Sequence, residues 1–453
     1  MDVHRITSPA DLVAVVRRRS PELAERAASG GFDGADLRDL RLERLTLAGA
    51  SFRGADLRGT VFVACDLGEA DLSEAIGVLP YAFAGCDLRW ATLPAGLSFD
   101  APLATIEGAV AYARAAFLVM AAASLYCLLT VGGTTDRDLL VDSASTALPI
   151  VDTPVTLTAF YFVSPALLLA GVVWMHAYLQ RVWATLAALP ARFADGLALG
   201  DRIDQWIPLS VGCRAPAGER AIFGRLEATL SAGVLWPIPP AVMLVMWARH
   251  LPRHDLLVSA WQIAVLALCL GFGAVFAVRA RRTLRRTLPA RARRAEAGWA
   301  AAAAAAAGAV LLPVTFAVID PWRPGPLGVG AARLVALADA IGLPHRLQLS
   351  GAEVAVRPPG WSPALGGERL DAAVAAVPRV DLAGRNLDRA LAGYAFFANA
   401  GLDGARMRAI NAPAATFVRA SLVGADLAEA ELAFADLRDA DLAGATLAGA
   451  DLT

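Results

Sequence analysis

Along two stretches of the chain an apolar residue returns at every fifth position. From Phe32 the series runs through Leu37, Leu42, Leu47, Phe52, Leu57, Phe62, Leu67 and Leu72, and after a slip of one it resumes at Phe83, Leu88 and Leu93. A second series runs through Leu382, Leu387, Phe397, Leu402, Met407, Phe417, Leu422, Leu427, Leu432, Leu437, Leu442, Leu447 and Leu452, broken only at Ala392 and Ala412. Helices repeat every ~3.6 residues and strands every ~2, so a sustained period of five requires a coil whose straight sides recur as units. Two residues before the large side chain the position is usually small, mostly alanine, with Leu40, Leu45, Arg385 and Ile410 among the departures. Each pentad therefore directs one large and one small side chain inward. The remaining positions, rich in aspartate, face water.

Between these blocks lie five long apolar segments, at 109–132, 154–180, 229–248, 257–279 and 297–319. Each reaches the ~20 residues that a helix needs to cross a bilayer, so a membrane α-helical bundle of about five transmembrane helices is expected. Pro165, the Pro237, Pro239 and Pro240 group and Pro313 are tolerable in packed membrane helices, and Tyr112, Trp183, Trp247, Trp261 and Trp322 stand near segment ends, where interfacial aromatics belong. No Asp, Glu or Arg falls at the centre of a segment, which argues against an ion-coupled transporter. The loop after the fourth segment carries Arg281, Arg282, Arg285, Arg286, Arg291, Arg293 and Arg294, so it is expected in the cytoplasm, with binding to anionic headgroups as the sharper alternative. By alternation the N-terminus and the loop near 181–228 are cytoplasmic and the link with Asp136, Asp138, Asp142 and Asp152 is external. The second repeat block is external if all five segments cross, and shares the cytoplasm with the first if the fifth does not.

The expected organisation is thus capping helices at 1–30, opening at Ser8-Pro9 and Ser20-Pro21; a repeat block at 31–99; a transmembrane domain at 105–322; a linker at 323–378; and a second repeat block at 379–453. The linker carries early repeats at Leu349 and Val354 before Pro358-Pro359-Gly360 interrupts them.

Composition agrees with lipid burial: 57% of the 453 residues are hydrophobic and 18% charged. The formal net charge of −1 supplies no overall field for nucleic acid. All 41 basic residues are arginine, pointing to a GC-rich bacterial coding sequence and excluding chemistry that needs lysine: a Walker A loop, a Schiff base, a kinase-type phosphate clamp. The five cysteines are scattered without a CxxC pair, and Cys65 and Cys86 fall on small inward positions. His250, His254 and Asp255 form the nearest approach to a metal cluster, but Pro252 interrupts the helix between the imidazoles and a polar hairpin tip is the ordinary reading. The first residues lack the continuous apolar core of a signal peptide. No nucleophile elbow, zinc-helix motif or phosphate loop is found, so no enzyme and no cofactor are expected.

Written as A-D-L-x-x, in Ala425-Asp426-Leu427 and Ala435-Asp436-Leu437, the pentads resemble the pentapeptide-repeat family. The resemblance implies that each block is a right-handed quadrilateral β-helix of three or four coils. The middle of the chain, in Leu148-Pro149-Ile150, Tyr178-Leu179-Gln180, Leu189-Pro190-Ala191 and Arg253-His254-Asp255, resembles the membrane region of other bacterial pentapeptide-repeat membrane proteins, which implies a multi-pass protein of the bacterial cytoplasmic membrane. The expected function is a membrane-anchored, non-catalytic interaction or scaffold protein with an unidentified protein partner, and homo-oligomers are compatible with it. The alternative is a small channel or transport-related assembly with the repeats as gating or assembly domains. A third reading, a DNA-mimic topoisomerase-binding protein, fits poorly with short, arginine-bearing blocks tethered to a membrane.

Overall fold

The computed structural model describes residues 4–142, 145–147, 154–203, 237–285, 290–322 and 331–453. In chain order its elements begin β1 (His4–Ile6), α1 (Pro9–Arg19), α2 (Ala24–Ala28), β2 (Leu40–Glu43), β3 (Val61–Val63), β4 (Phe83–Ala84), α3 (Asp100–Gly133) and α4 (Asp136–Val141). They continue with β5 (Ser145–Ala147), β6 (Pro154–Thr156), α5 (Leu157–Ala188), α6 (Ile238–His250), α7 (Leu256–Arg285), α8 (Ala290–Ile319), α9 (Ala331–Ala340) and α10 (Gly367–Ala375). The chain divides into two compact units: Met1–Met120 with Gly171–Ile238 and Phe272–Trp299, and Ala121–Ala170 with Pro239–Gly271 and Ala300–Thr453.

In the first unit the pentads form stacked coils. Parallel bridges join Gly31 to Ser51, Asp36 to Asp56 and Ser51 to Asp71, each pair twenty residues apart, so four pentads make one turn. The order β1-β2-β3-β4 is a short parallel sheet along one side. Coils stack at the ~4.8 Å spacing of neighbouring strands, which lets inward aromatics meet face to face. Phe32 lies 5.0 Å from Phe52, and Phe62 lies 5.6 Å from Phe83. The phase slip has a location. Asp56 still bridges Ile76 at a spacing of twenty, whereas Phe62 pairs with Phe83 at twenty-one. The extra residue is therefore taken up between them, where Pro80–Ala82 forms a 3-10 turn.

The coil ends are covered. Ser8 caps α1 by accepting from the Asp11 amide, Pro9 occupies its first turn, and Leu12 and Val16 are buried beside Ile6 of β1. At the other end, residues 189–199, which follow α5, add part of a further coil. Gly85 donates to the Leu189 carbonyl at 2.8 Å, Leu88 to Arg192 at 3.1 Å and Trp90 to Ala194 at 3.0 Å. Ala191 and Phe193 supply the small and large residues of that lone pentad, and Phe193 meets Phe99 at 5.2 Å.

In the second unit the ladder is regular. Asp381 bridges Gly401, Gly401 bridges Ser421 and Ser421 bridges Asp441, while Phe397 and Phe417 stack at 5.0 Å with their rings 1° from parallel. Leu349 and Val354 lie in the same core, because Gln348 and Glu353 bridge Leu391 and Phe396 across an excursion of the chain. That excursion straps an outer side of the coils. Leu370, Val374 and Val377 cover Phe396, Ala398 and Val418, which face outward, and Trp361 meets Phe396 edge-on at 4.9 Å.

Three helices are long and apolar enough to cross a membrane: Asp100–Gly133, Leu157–Ala188 and Leu256–Ala280. The third expected segment lies partly outside the described residues, and its described part is the 13-residue α6. For the fifth, the apolar stretch among described residues is Ala304–Ile319 within α8, shorter than a full crossing. Pro165 stands inside α5 and has no N–H for the Tyr161 carbonyl one turn earlier. Gln262 of α7 donates to that carbonyl at 3.0 Å, and Trp261 donates to Phe162 at 2.7 Å. The proline thus converts a lost intrahelical bond into contacts between helices. Replacing Gln262→Leu is expected to cost about 1–3 kcal/mol by leaving the carbonyl unpaired, and the Pro165→Ala background should recover most of that loss, read by thermal unfolding of the four members of the cycle.

Candidate functional site

Most pentads turn at the second residue after the large one, and that residue then lies in the left-handed region. Gly404 and Gly424 take it without strain, but Tyr394 (φ 61°) and Phe434 (φ 61°) adopt it as well. Both occupy one column of the second block, two coils apart with Ala414 between them. Their side chains are 71% and 85% exposed. In the first block the large exposed apolar residues, Ile76, Leu79, Tyr81 and Trp90, all belong to the last coil.

The aspartates before the large residues are turn-formers. Asp66 accepts from the Gly68 amide at 3.1 Å, Asp71 from Ser73 at 3.0 Å and Asp426 from Ala428 at 3.1 Å. Several also grip an arginine two residues on: Asp36 with Arg38 at 2.9 Å, Asp87 with Arg89 at 3.0 Å and Asp436 with Arg438 at 2.6 Å. The hydrogen bonds from Arg38 hold the Asp36 carboxyl down to about 2, and those from Arg38's counterparts lower Asp56 and Asp436 likewise. Part of the outward negative charge is therefore paired with arginine, while Asp66, Asp426 and Asp441 serve as turn-formers or stand at the surface with no ion pair among the described residues.

The second block rests on a polar seat. Leu140 of α4 enters the core of the coils, and α4 itself is fixed by a capping box in which Thr135 and Asp138 satisfy each other's backbone. Asp136 accepts from the Gln348 amide at 2.6 Å and pairs with Arg249 at 2.7 Å. Arg253 reaches Asp142 at 3.3 Å and the Leu139 carbonyl at 3.1 Å, with only 8% of its side chain exposed. His254, itself in the left-handed region at φ 55°, places Nε2 3.0 Å from the His345 carbonyl and Nδ1 3.2 Å from Asn386 Oδ1. Arg389 donates to the Val318 carbonyl at 2.7 Å, and Arg406 pairs with the buried Asp388 at 2.6 Å. The link after α3, the hairpin between α6 and α7 and the end of α8 therefore all meet the same coils.

The inward residues Phe32, Leu37, Leu57, Leu67, Leu72 and Leu88 are buried, as are Leu387, Phe397, Leu402, Phe417, Leu422, Leu427 and Leu432. Leu437, Leu442 and Leu447, in the last coil, are half-buried. Of the arginine cluster, the Arg282 side chain is described and half-buried. Arg286 lies outside the described residues, as do the side chains of Arg281, Arg285, Arg291, Arg293 and Arg294. His250 and His254 turn to different neighbours, His250 lying against Tyr161 with ring centres 5.1 Å apart. Among the described residues no three potential metal ligands cluster. Burial pushes the Cys86 thiol well up, which suits a small packed residue.

The chain thus combines stacked coils of pentads with three helices long and apolar enough to cross a membrane. The family model for pentapeptide repeats matches eight copies, at residues 35–74 and 414–453, so the chain carries this family's repeats in both blocks. No curated protein sequence matches the chain.

Sequence reading passed over α4, although the Thr135 and Asp138 spacing followed by Leu139-Leu140-Val141 is a legible capping signal, and it placed His254 at a polar hairpin tip without its partners. Burial works to raise the Asp142 carboxyl, but bonds from Thr158 and Arg253 outweigh it and the pKa ends below the ordinary value. Burial holds His254 down to about 4 against its two hydrogen bonds. A histidine lowered by folding takes up protons on unfolding, so its share of stability is intact above ~6.5 and lost as pH falls towards ~4. Thermal unfolding temperature should therefore drop between pH 7 and pH 5, and less so in His254→Gln. Arg253→Ala should cost on the order of 2 kcal/mol at pH 7, between the values for exposed and buried pairs.

Proposed function

We propose that the protein is a membrane-anchored, non-catalytic scaffold whose two repeat blocks, each a right-handed four-sided β-helix, present rigid outer faces to a protein partner. The observation that carries this reading is the character of those faces: several of their aspartates are paired with arginine, as Asp436 is with Arg438, while Tyr394 and Phe434 stand out as strained and exposed aromatics. Exposed aromatics are frequent anchors of protein interfaces, and a solenoid supplies a stiff surface on which to hold them. The arginines that pair Asp36, Asp56, Asp87 and Asp436 weigh against a nucleic-acid mimic.

The anchor is a set of five spans in the bacterial cytoplasmic membrane, with the arginine-rich loop and the N-terminal repeats in the cytoplasm. The second block lies on the external side. The seat supports that side, because the coils share it with the link after α3 and with the hairpin after α6, both external by alternation. A fifth span, α8, completes the count despite its alanine-rich composition.

A reporter pair fused after Thr453 tests the topology: alkaline phosphatase should be active and green fluorescent protein dark, and the reverse result would overturn an external second block. A photo-crosslinking amino acid at Phe434 or Tyr394 tests the scaffold. A discrete protein adduct in intact cells is expected from these positions and not from Asp441. Adducts to lipid alone, or none, would contradict the reading.

A further inference from the structure

The strap over the second block is weakly built where it crosses the coils. Its helix α10 has nine residues, starts at Gly366-Gly367 and has no side-chain cap. Isolated helices shorter than ~12–15 residues are marginal in water, so α10 is held by the face beneath it rather than by its own turns. That face is apolar where other pentads are polar. Phe396 and Ala398, with Val418 one coil further on, receive Leu370 and Val374 of α10 and Val377 just beyond it. Arg438, twenty residues after Val418 in the same column, donates to the Leu365 and Pro363 carbonyls at 2.5 and 2.9 Å. Arg419 pairs with Asp371, and Asn399 donates to the Val377 carbonyl at 2.9 Å. The polar grip is one-sided. Asn399 and Arg419 stand at the turn that follows this face, whereas Tyr394 and Phe434 stand at the turn that precedes it and are 71% and 85% exposed.

We propose that α10 is a resident competitor: the face of Phe396 and Val418 is the docking site for an amphipathic helix of the protein partner, which enters across Tyr394 and Phe434 and displaces α10. This rests on the scaffold reading and gives its partner a chemistry. The strap itself defines the occupant, with apolar residues spaced as Leu370, Val374 and Val377 are, and an acidic residue placed as Asp371 is to meet Arg419. Displacement is cheap because exposed ion pairs contribute little and a short uncapped helix opens locally before the coils do. A longer partner helix, nearer to stable by itself, competes well for the same face.

The probe is a labelled peptide of residues 361–377, added to the full chain in nanodiscs with the native cysteines replaced. Leu370→Asp with Val374→Asp empties the face, and Asp371→Cys with Arg419→Cys, bridged by a short bismaleimide, keeps the strap on it. The emptied chain should bind the peptide on the order of tenfold tighter than the chain in which α10 competes, and bridging should abolish binding. No saturable binding to the emptied chain, or equal binding before and after bridging, would overturn the proposal. Arg419→Glu in the emptied chain should weaken binding severalfold, and a peptide carrying Asp371→Arg should restore it. Binding indifferent to that exchange is adhesion without a site and would also overturn it. If the emptied chain loses its coils, the bridged and unbridged chains, which keep Leu370 and Val374, still decide. The scaffold reading fails separately, by the absence of any protein adduct at Phe434 in cells.

Discussion

Everything in the repeat blocks depends on one backbone exchange: an amide at each pentad donates to a carbonyl on the neighbouring coil. Leu382 donates to Gly401 at 2.7 Å and Gly401 in turn to Val380 at 2.8 Å, and the same pair of bonds recurs down the second block. Because the ladder is parallel and the spacing is twenty, each large residue sits over its equivalent in the coil below. The identity of the inward residue can then change, from leucine to phenylalanine to methionine, without changing the path of the chain. It is the spacing that cannot change. Where one residue is added, between Ile76 and Phe83, the coil accommodates it in a turn and restores register at once.

A stack of coils has two ends, and both blocks need other parts of the chain to finish them. The first is closed by α1 below and by the lone pentad of residues 189–199 above. The second is closed by Leu140 and held by ion pairs and hydrogen bonds from the link and the hairpin. These closures place repeat surfaces in fixed relation to segments that begin and end the apolar helices. Within the helices the same economy recurs, because Pro165 frees a carbonyl that Gln262 then uses to tie α5 to α7.

The coils were legible in the sequence because a period of five leaves no competing element, and their inward positions could be named one by one. The closures were not, for physical reasons that differ. Residues 189–199 carry a single pentad, Ala191 and Phe193, and one pentad has no period. Leu140 belongs to a helix of six residues whose capping box was visible but whose docking partner lies more than two hundred residues away. The strap over Phe396, Ala398 and Val418 had a signal that composition hides: Phe396 stands where most pentads place aspartate or another polar residue, so something apolar must cover it. His254 read as a hairpin tip, and only the fold brings Asn386 and His345 to it. The span count rested on hydropathy, which three helices meet outright and α8 meets less fully.

The second block is seated on the chain's own link: the Gln348 amide of its first coil bonds to Asp136 of α4. Cysteines introduced as Asp136→Cys and Gln348→Cys, in a chain whose native cysteines are replaced, test that contact in the full chain. The account predicts rapid intramolecular disulfide formation under mild oxidation, comparable to a Gly401→Cys and Ser421→Cys pair across the ladder. Formation of the ladder disulfide without the seat disulfide would contradict it.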